Sequence, residues 1–342
     1  MGKVLHRFLL ALACLMPLAR PALASAEAPR FTGTFLQLLD DHASWSAAQW
    51  EGLFASLRAV GVRDLVVQWS VNGARPTYAS AHFTAAPAAS LPAVLEAARA
   101  HGLRLTLGLV HDPDYWEKIK RDPKLVRVYF RRLLLDSLAA ARELAALAAG
   151  NASFAGFYIP QEIDDRGWLE PDRQKVLLEY LTDLRAGLRE IAPEIPVSIS
   201  GFSNAFAEPD VLRELWRRLL GGSGIDQVLF QDGVGVNKLR LEETGIFLDA
   251  VSQAAREAGR IFTPVVETFT QVDGPPLNEK PFKAVPASLE RLEKQLNTAA
   301  RVPHVGIVAF SLPEYCSPFG GPQAAALYDA YQKSLAGDAA PR

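Results

Sequence analysis

The sequence predicts a single-domain (β/α)8 barrel, an α/β fold in which eight strands alternate with eight helices. Three observations support this prediction. Eight apolar runs of strand length alternate with eight segments of helical periodicity. The runs are mostly continuous rather than alternating, as in strands that are buried on both faces of a parallel sheet. Their starts lie roughly 30 to 50 residues apart, which is enough for a strand, a helix and two connections.

The predicted strands are rich in Val, Ile, Leu and Phe, which suit the buried strands of a parallel sheet. A doubly wound open sheet is the competing topology, but it usually has a glycine-rich phosphate loop after its first strand. This chain has Gln37-Leu38-Leu39-Asp40 there, so we expect a closed barrel. In chain order the strands are predicted at Gly33–Leu39, Asp64–Ser70, Arg104–Val110, Phe154–Ile163, Pro196–Phe202, Gln227–Gly233, Ile261–Phe269 and His304–Leu312.

The predicted helices carry start and stop signals that agree with their periodicity. Most begin with a proline near the first helical position, where its missing N–H costs nothing, and several stop at a glycine. Ser46 and Gln49 form a capping-box pattern at the start of the first helix. The helices are predicted at Ala47–Val60, Pro92–Ala100, Pro123–Ala149, Pro171–Ile191, Pro209–Leu220, Leu241–Ala258, Pro286–Ala300 and Pro322–Leu335.

The N-terminus has the pattern of a cleaved signal peptide. A basic start precedes the apolar run Phe8–Leu18, and Ala22-Leu23-Ala24 is typical of a signal-peptidase site. We therefore predict a signal peptide at residues 1–24, a barrel domain at 25–336 and a flexible tail at 337–342. The apolar run is too short to span a membrane as a mature helix. The mature protein is expected in the periplasm or outside the cell, with no stable membrane insertion.

The composition is that of an ordinary soluble globular protein. The chain has 342 residues, of which 49% are hydrophobic and 22% charged, and its net charge is −2. Removing the basic signal peptide makes the mature chain more acidic, which argues against a nucleic-acid partner. Cys316 is the only cysteine left in the mature chain, so no internal disulfide is possible. We expect a monomer that needs no cofactor.

The predicted connections differ in length at the two ends of the barrel. Helix-to-strand turns such as Gly61–Arg63 are short, whereas the strand-to-helix segments Val71–Leu91, His111–Asp122 and Thr270–Val285 are long. In a barrel the strand-to-helix loops and the carboxyl-terminal strand ends, together called the mouth here, form the active face. We therefore look for function at the mouth.

Polar and aromatic residues follow every predicted strand. An amide or carboxyl group at a strand end loses its hydration on folding unless another group binds it. In a purely structural role, such a group forms a hydrogen bond to a neighbouring loop. The number of acids converging on one rim instead favours a carbohydrate-binding site, because amides, carboxylates and aromatic faces suit sugar hydroxyls and sugar rings. The predicted substrate-binding residues are Gln37, Asp40, Gln68, Trp69, His111, Gln161, Asp164, Asp165, Asn204, Gln231, Asp232, Glu314 and Tyr315.

Two glutamates are distinguished by the strands that they end. Glu162 ends the fourth predicted strand and Glu267 ends the seventh. Carboxylates on these strands can face each other across the mouth, where one donates a proton to a leaving oxygen and the other attacks the sugar. We predict that Glu162 is the general acid/base and Glu267 the nucleophile of a glycoside hydrolase.

This glutamate pair is similar to that of the large clan of retaining glycoside hydrolases with (β/α)8 barrels. In that clan the fourth-strand glutamate usually follows asparagine, whereas this chain has Gln161 there. More specifically, nearly the whole mature chain resembles domain-of-unknown-function family 4434, secreted bacterial barrel proteins considered glycoside-hydrolase-like. The resemblance implies a barrel fold and sugar hydrolysis. It is carried by Thr34-Phe35-Leu36-Gln37, Val67-Gln68-Trp69, Gly156-Phe157-Tyr158-Ile159-Pro160-Gln161-Glu162-Ile163-Asp164-Asp165 and Phe230-Gln231-Asp232-Gly233-Val234-Gly235.

Two alternatives remain open from the sequence. A non-catalytic glycan-binding barrel, accessory to exopolysaccharide export or processing, would keep the amides and aromatic residues without a catalytic pair. A metal-dependent polysaccharide deacetylase would use Asp40-Asp41-His42, but the second histidine of such a site is absent at helical spacing, so no metal site is predicted. Cys316 has no evident histidine partner and is interpreted as a packing residue.

Overall fold

A computed structural model describes residues 28–86, 89–273, 280 and 282–338. The predicted signal peptide lies outside the described residues, as do residues 339–342 of the predicted tail. The predicted loop Thr270–Val285 is described only in part.

Eight parallel strands close into a barrel in which each strand pairs with its neighbours in the chain and the last pairs with the first. This arrangement confirms the (β/α)8 barrel. The strands are β1 Gly33–Leu36, β2 Asp64–Val67, β3 Arg104–Gly108, β4 Phe154–Asp164, β5 Val197–Phe202, β6 Gln227–Gln231, β7 Ile261–Glu267 and β8 Val308–Phe310.

Eight helices follow the strands and cover the barrel. Ser46 accepts the main-chain N–H of Gln49 and caps the first of them, as the capping-box pattern predicts. The helices are α1 Ala47–Ala59, α2 Leu91–His101, α3 Pro123–Leu147, α4 Pro171–Ile191, α5 Pro209–Ser223, α6 Leu241–Glu257, α7 Leu289–Ala299 and α8 Pro322–Asp338. The last of these extends two residues beyond the predicted domain boundary at 336.

Capping groups account for two of the bounds at which the structure differs from the prediction. Strand β8 ends at Phe310 because a short helix, Leu312–Tyr315, starts there and donates the Leu312 N–H to Thr34 Oγ1 at 2.9 Å. Helix α7 begins at Leu289 instead of Pro286 because the Ser288 hydroxyl accepts the N–H of Arg291.

Side chains from alternate strand positions form two separate cores. A small cluster fills the inside of the barrel and consists of Phe35, Val66, Tyr158, Leu229, Val265 and Val308. A large cluster lies between the strands and the helices, and it takes the intervening strand residues such as Phe157, Ile159 and Val266. Since side chains two residues apart point to the same face of a strand, the inner cluster fixes which strand-end residues face the mouth.

Two small sheets lie beyond the carboxyl ends of the barrel strands. Val71–Asn72 pairs with Arg75–Pro76 and with Val110–His111, and Phe269–Gln271 pairs with Ala284–Pro286. They organise the long loops after β2, β3 and β7.

Candidate active site

Along each strand every second side chain points into the barrel, and this alternation continues beyond the inner core to a set of polar residues at the mouth. Each lies two or four positions beyond a member of the inner cluster, and the set comprises Gln37, Gln68, Glu162, Gln231 and Glu267. Hydrogen bonds join four of them in two pairs: Gln37 Nε2 donates to Gln68 Oε1 at 2.6 Å, and Gln231 Nε2 donates to Glu162 Oε1 at 2.6 Å. The structure thus brings both predicted catalytic glutamates to one inner face.

Strand register brings Glu162 and Glu267 near each other. Gln231, which holds Glu162, is the register partner of Val265 on the neighbouring strand β7. Glu267 lies two residues beyond Val265 on the same face of that strand. The ammonium of Lys238 also interacts electrostatically with both carboxyl groups. The two acids therefore share one site although they are far apart in the sequence.

The carboxyl group of Glu162 is half-buried at the end of β4. Burial raises its pKa above the usual value, and the negative charge of Asp164 adds to this effect. The Gln231 amide and the Lys238 ammonium act in the opposite direction by stabilising the carboxylate. A carboxyl group with a raised pKa and partial access to solvent has the character of a proton donor.

Glu267 is 1% exposed, and its Oε2 accepts the main-chain N–H of Val236 at 2.9 Å. Burial and then the nearby Asp232 raise the pKa of Glu267 to about 8. The N–H of Val236 and the Lys238 ammonium oppose the shift. Arg291 lies close by, but it donates to the main-chain oxygens of Glu267 and Phe269 and forms no ion pair with the carboxyl group in the described part of the chain.

Asp232 lies beneath Glu267 and is fully enclosed by protein. Its oxygens accept the Gln295 side-chain amide and, more weakly, the main-chain N–H groups of Val234 and Glu267. Burial raises its pKa to about 6. These bonds make Asp232 a support for the loop after β6 and for Glu267, and they place it away from a substrate.

Asp164 and Asp165 bind the loop after β5. Asp165 is 0% exposed and accepts hydrogen bonds from Ser203 Oγ and from the main-chain N–H groups of Asn204, Phe206 and Ala207. Asp164 accepts the Asn204 side-chain amide at 2.8 Å. Asn204 Oδ1 is buried and has no hydrogen-bond partner among the described residues. Asp165 is therefore structural, while Asp164 and Asn204 stand beside Glu162.

Gln161 does not lie with the substrate-binding set that the sequence predicts. It follows Ile159 in the outward alternation of β4, so it faces the helices. Its Nε2 donates to the carbonyl oxygen of Val110 at 2.8 Å, and its Oε1 accepts the hydroxyl of Tyr180 in α4. We remove Gln161 from the candidate site because a residue directly before an inward glutamate must point outward.

Asp40, His111 and Trp69 take rim positions. Asp40 is 85% exposed and pairs with Arg75 at 2.6 Å. The imidazole of His111 is hydrogen-bonded to Asn72 and lies against the Trp69 ring, with ring centroids 5.0 Å apart. The indole N–H of Trp69 is buried and has no hydrogen-bond partner among the described residues. Asp40 therefore lies outside the inner-facing set. Trp69 packs at the rim with its indole N–H unpaired among the described residues.

Glu314 and Tyr315 end the short helix Leu312–Tyr315 that follows β8. Both carboxyl oxygens of Glu314 are buried without a hydrogen-bond partner in the described part of the chain, and burial raises its pKa to about 8. The Tyr315 ring packs on Phe269, with centroids 5.1 Å apart. Cys316, the next residue, is buried, and this raises its thiol pKa to about 12, so the thiol stays protonated at neutral pH.

Sequence reasoning missed two residues of this site. Lys238 lies in the loop after β6, where nothing in the local pattern separates it from a solvated lysine. Gln295 lies in α7 between Leu292 and Leu296 on its buried face, and a glutamine at an apolar-stripe position is a signal that could have been used. Barrel closure brings the Gln295 amide into contact with Asp232 and the Lys238 charge near Glu267 and Glu162.

The described residues hold neither a metal-ligand cluster nor a membrane-spanning helix. They contain no group of three or more His, Cys, Asp or Glu residues arranged to hold a metal ion. Within the same ranges, none of the helices is long and apolar enough to cross a membrane.

Comparisons with known proteins agree with the fold. The model of the family described as "Domain of unknown function (DUF4434)" matches residues 31–326. Uncharacterized protein YbcH of Escherichia coli strain K12 is 31% identical over 236 residues, which cover 68% of this chain and 75% of that protein. A Bacteroides thetaiotaomicron protein provisionally assigned as an alpha-L-fucosidase superposes with a TM-score of 0.73 at 18% identity, covering 91% of this chain and 96% of that one. The endo-beta-1,4-mannanase of Thermotoga petrophila gives 0.59 at 13% identity, covering 93% and 79%. At these identities the structural matches establish the barrel fold.

Proposed function

This chain belongs to the DUF4434 family, and from the geometry of its mouth we propose that it is a glycoside hydrolase working through Glu162 and Glu267. One observation carries the proposal: two carboxyl groups from β4 and β7 share the inner face of the mouth, where burial raises the pKa of both. Carboxyl pairs of this kind hydrolyse glycosidic bonds.

The proposed reaction is retaining. Glu162 donates its proton to the glycosidic oxygen while a Glu267 carboxylate oxygen attacks the anomeric carbon, so the bond to the leaving sugar breaks and a glycosyl ester forms. Ionised Glu162 then takes a proton from water, whose oxygen attacks the anomeric carbon and releases Glu267. The N–H of Val236 and the charge of Lys238 support the carboxylate form of Glu267.

The proposed substrate is a bacterial or environmental polysaccharide. Amide groups of Gln37, Gln68 and Asn204 offer hydrogen bonds to sugar hydroxyls. Phe206 and Phe282 are 65% and 57% exposed in the loops after β5 and β7, and they offer apolar faces to neighbouring sugar rings. With the predicted signal peptide, we place the enzyme in the periplasm or outside the cell, as a monomer.

The proposal is tested with a polysaccharide panel assayed for new reducing ends. Glu162→Gln and Glu267→Gln are each expected to lose about 100-fold to 10,000-fold in kcat, since each removes a proton-transfer or nucleophilic group. Glu243→Gln in α6 is the matched control, because that side chain pairs with Arg240 at the surface. Full activity in either active-site variant removes that residue's role.

The roles of the two acids are separated with small molecules. Azide restores turnover to Glu267→Ala by replacing the nucleophile, and the released glycosyl azide has inverted configuration. Glu162→Ala keeps fast glycosylation on substrates whose leaving group needs no proton. Oligosaccharide binding without new reducing ends from any polysaccharide would instead favour the glycan-binding barrel.

A further inference from the structure

The loop after β6 brings a lysine into the acidic mouth and fixes it there. Lys238 is half-buried, and its nitrogen lies 3.3 Å from the centre of the Phe202 ring at the end of β5. The main-chain N–H of Lys238 donates to the carbonyl oxygen of Gly233 at 2.9 Å, which closes the turn that carries it. A cation held over an aromatic face has a defined position.

The three donors of this ammonium group have no hydrogen-bond acceptor among the described residues. Within the described ranges, no carboxylate oxygen lies within 4.0 Å of its nitrogen and no acceptor is hydrogen-bonded to it. Its electrostatic partners are nevertheless four acids, of which Glu267 is the strongest, followed by Glu162, Asp164 and Asp165. A charge that is withdrawn from water without a direct partner costs free energy. The Lys238 ammonium therefore acts on the nearby acids through its electrostatic field and not through a hydrogen bond.

Glu267 needs such a field. As a nucleophile it must be ionised, yet it is buried beside Asp232, and both conditions favour its neutral form. The other charged groups around Glu267 and Asp232 are Arg291 in α7, which donates to main-chain oxygens, Glu162 and Asp164 on β4, and Asp165 directly after β4. Among the described residues around these acids, Lys238 is the cation whose charge acts on both catalytic carboxyl groups.

We propose that Lys238, held on Phe202, is a positioning residue that favours the carboxylate form of Glu267, the form in which Glu267 attacks. The inference rests on the proposed function, in which Glu267 attacks as a carboxylate and Glu162 donates a proton. It adds the residue whose positive charge favours the carboxylate form of Glu267. It makes the loop after β6 a determinant of the enzyme's working pH.

The test compares Lys238→Met, Lys238→Arg and Phe202→Leu with the exposed-lysine control Lys294→Met. Lys238→Met is expected to move the acidic limb of the pH profile of kcat/KM upward by about one pH unit, a tenfold loss at a fixed pH on that limb. Lys238→Arg should restore the wild-type limb, and Phe202→Leu should move it in the same direction as Lys238→Met by a smaller amount. A limb that stays at the wild-type pH in Lys238→Met and Phe202→Leu overturns the inference.

A second readout is independent of turnover. Protein labelled with [5-13C]glutamate is titrated by NMR, and Glu267→Gln identifies the Glu267 signal. If this signal titrates at higher pH in Lys238→Met but no variant hydrolyses any polysaccharide, the electrostatic role stands and the proposed function fails. If hydrolysis is normal and the Glu267 signal is unshifted, the role of Lys238 fails and the proposed function stands.

Discussion

Replacing Asp165 by alanine should destabilise the barrel, because this carboxylate closes the loop after β5. It accepts four main contacts, from Ser203 Oγ at 2.7 Å and from the N–H groups of Asn204, Phe206 and Ala207 at 2.8, 3.0 and 3.0 Å. Ser203 and Ala207 are buried, whereas the Phe206 side is open to water. Each buried donor left unpaired costs about 1–3 kcal/mol. We expect a loss of about 3 kcal/mol in the free energy of unfolding.

Urea denaturation followed by circular dichroism measures this loss. Asp183→Ala is the matched control, because that aspartate is exposed on α4, and it should change the free energy of unfolding by no more than about 0.5 kcal/mol. A loss below about 1 kcal/mol for Asp165→Ala would refute the reasoning, since it would mean that water replaces the carboxylate at the buried donors as well as the exposed one.

Two further predictions concern stability. The pKa of Glu314 is about 8 in the folded state against its usual 4.5. Between pH 4.5 and about pH 8 the folded state therefore keeps a proton on Glu314 that the unfolded state has lost. The free energy of unfolding falls as pH rises through this window. Glu314→Gln removes this loss, and its unfolding midpoint in urea should exceed that of the wild type by more at pH 9 than at pH 5. Gly201→Ala would place a Cβ 2.3 Å from the carbonyl oxygen of Ile163 in the adjacent strand, so we expect a loss of at least about 2 kcal/mol by the same assay.

The fold was predictable from the sequence because its signals are local and repeated. Each strand is a short apolar run, each helix is bounded by a proline or polar cap and often a glycine, and eight repeats of the unit leave few alternative topologies. The small sheets at the mouth were missed, since strands of two or three residues, such as Val71–Asn72, carry no periodicity. Their pairing is decided by the loops that the barrel brings together.

The sequence analysis predicted which strand ends carry the site residues, but not which face of the strand each side chain occupies. Listing every polar residue after a strand placed Gln161 and Glu162 together, whereas alternation puts them on opposite sides of β4. Applying that two-residue period from Tyr158 onward would have separated them without a structure. Lys238 could not be found in this way, because its position depends on a turn and on the Phe202 ring of another strand.

The end of β6 and the loop after it connect the two halves of the candidate site. Gln231 binds Glu162, whereas the Val236 N–H binds Glu267. Gly235 allows this arrangement, since a Cβ there would lie 2.5 Å from the carbonyl oxygen of Phe269 and 2.9 Å from Glu267 Oε2. A single segment therefore sets the hydrogen bonding of both acids, so a shift of this loop would alter the proton donor and the nucleophile together. The close main-chain approach at Gly235 lets the loop after β6 deliver the Val236 N–H to the buried carboxyl group of Glu267.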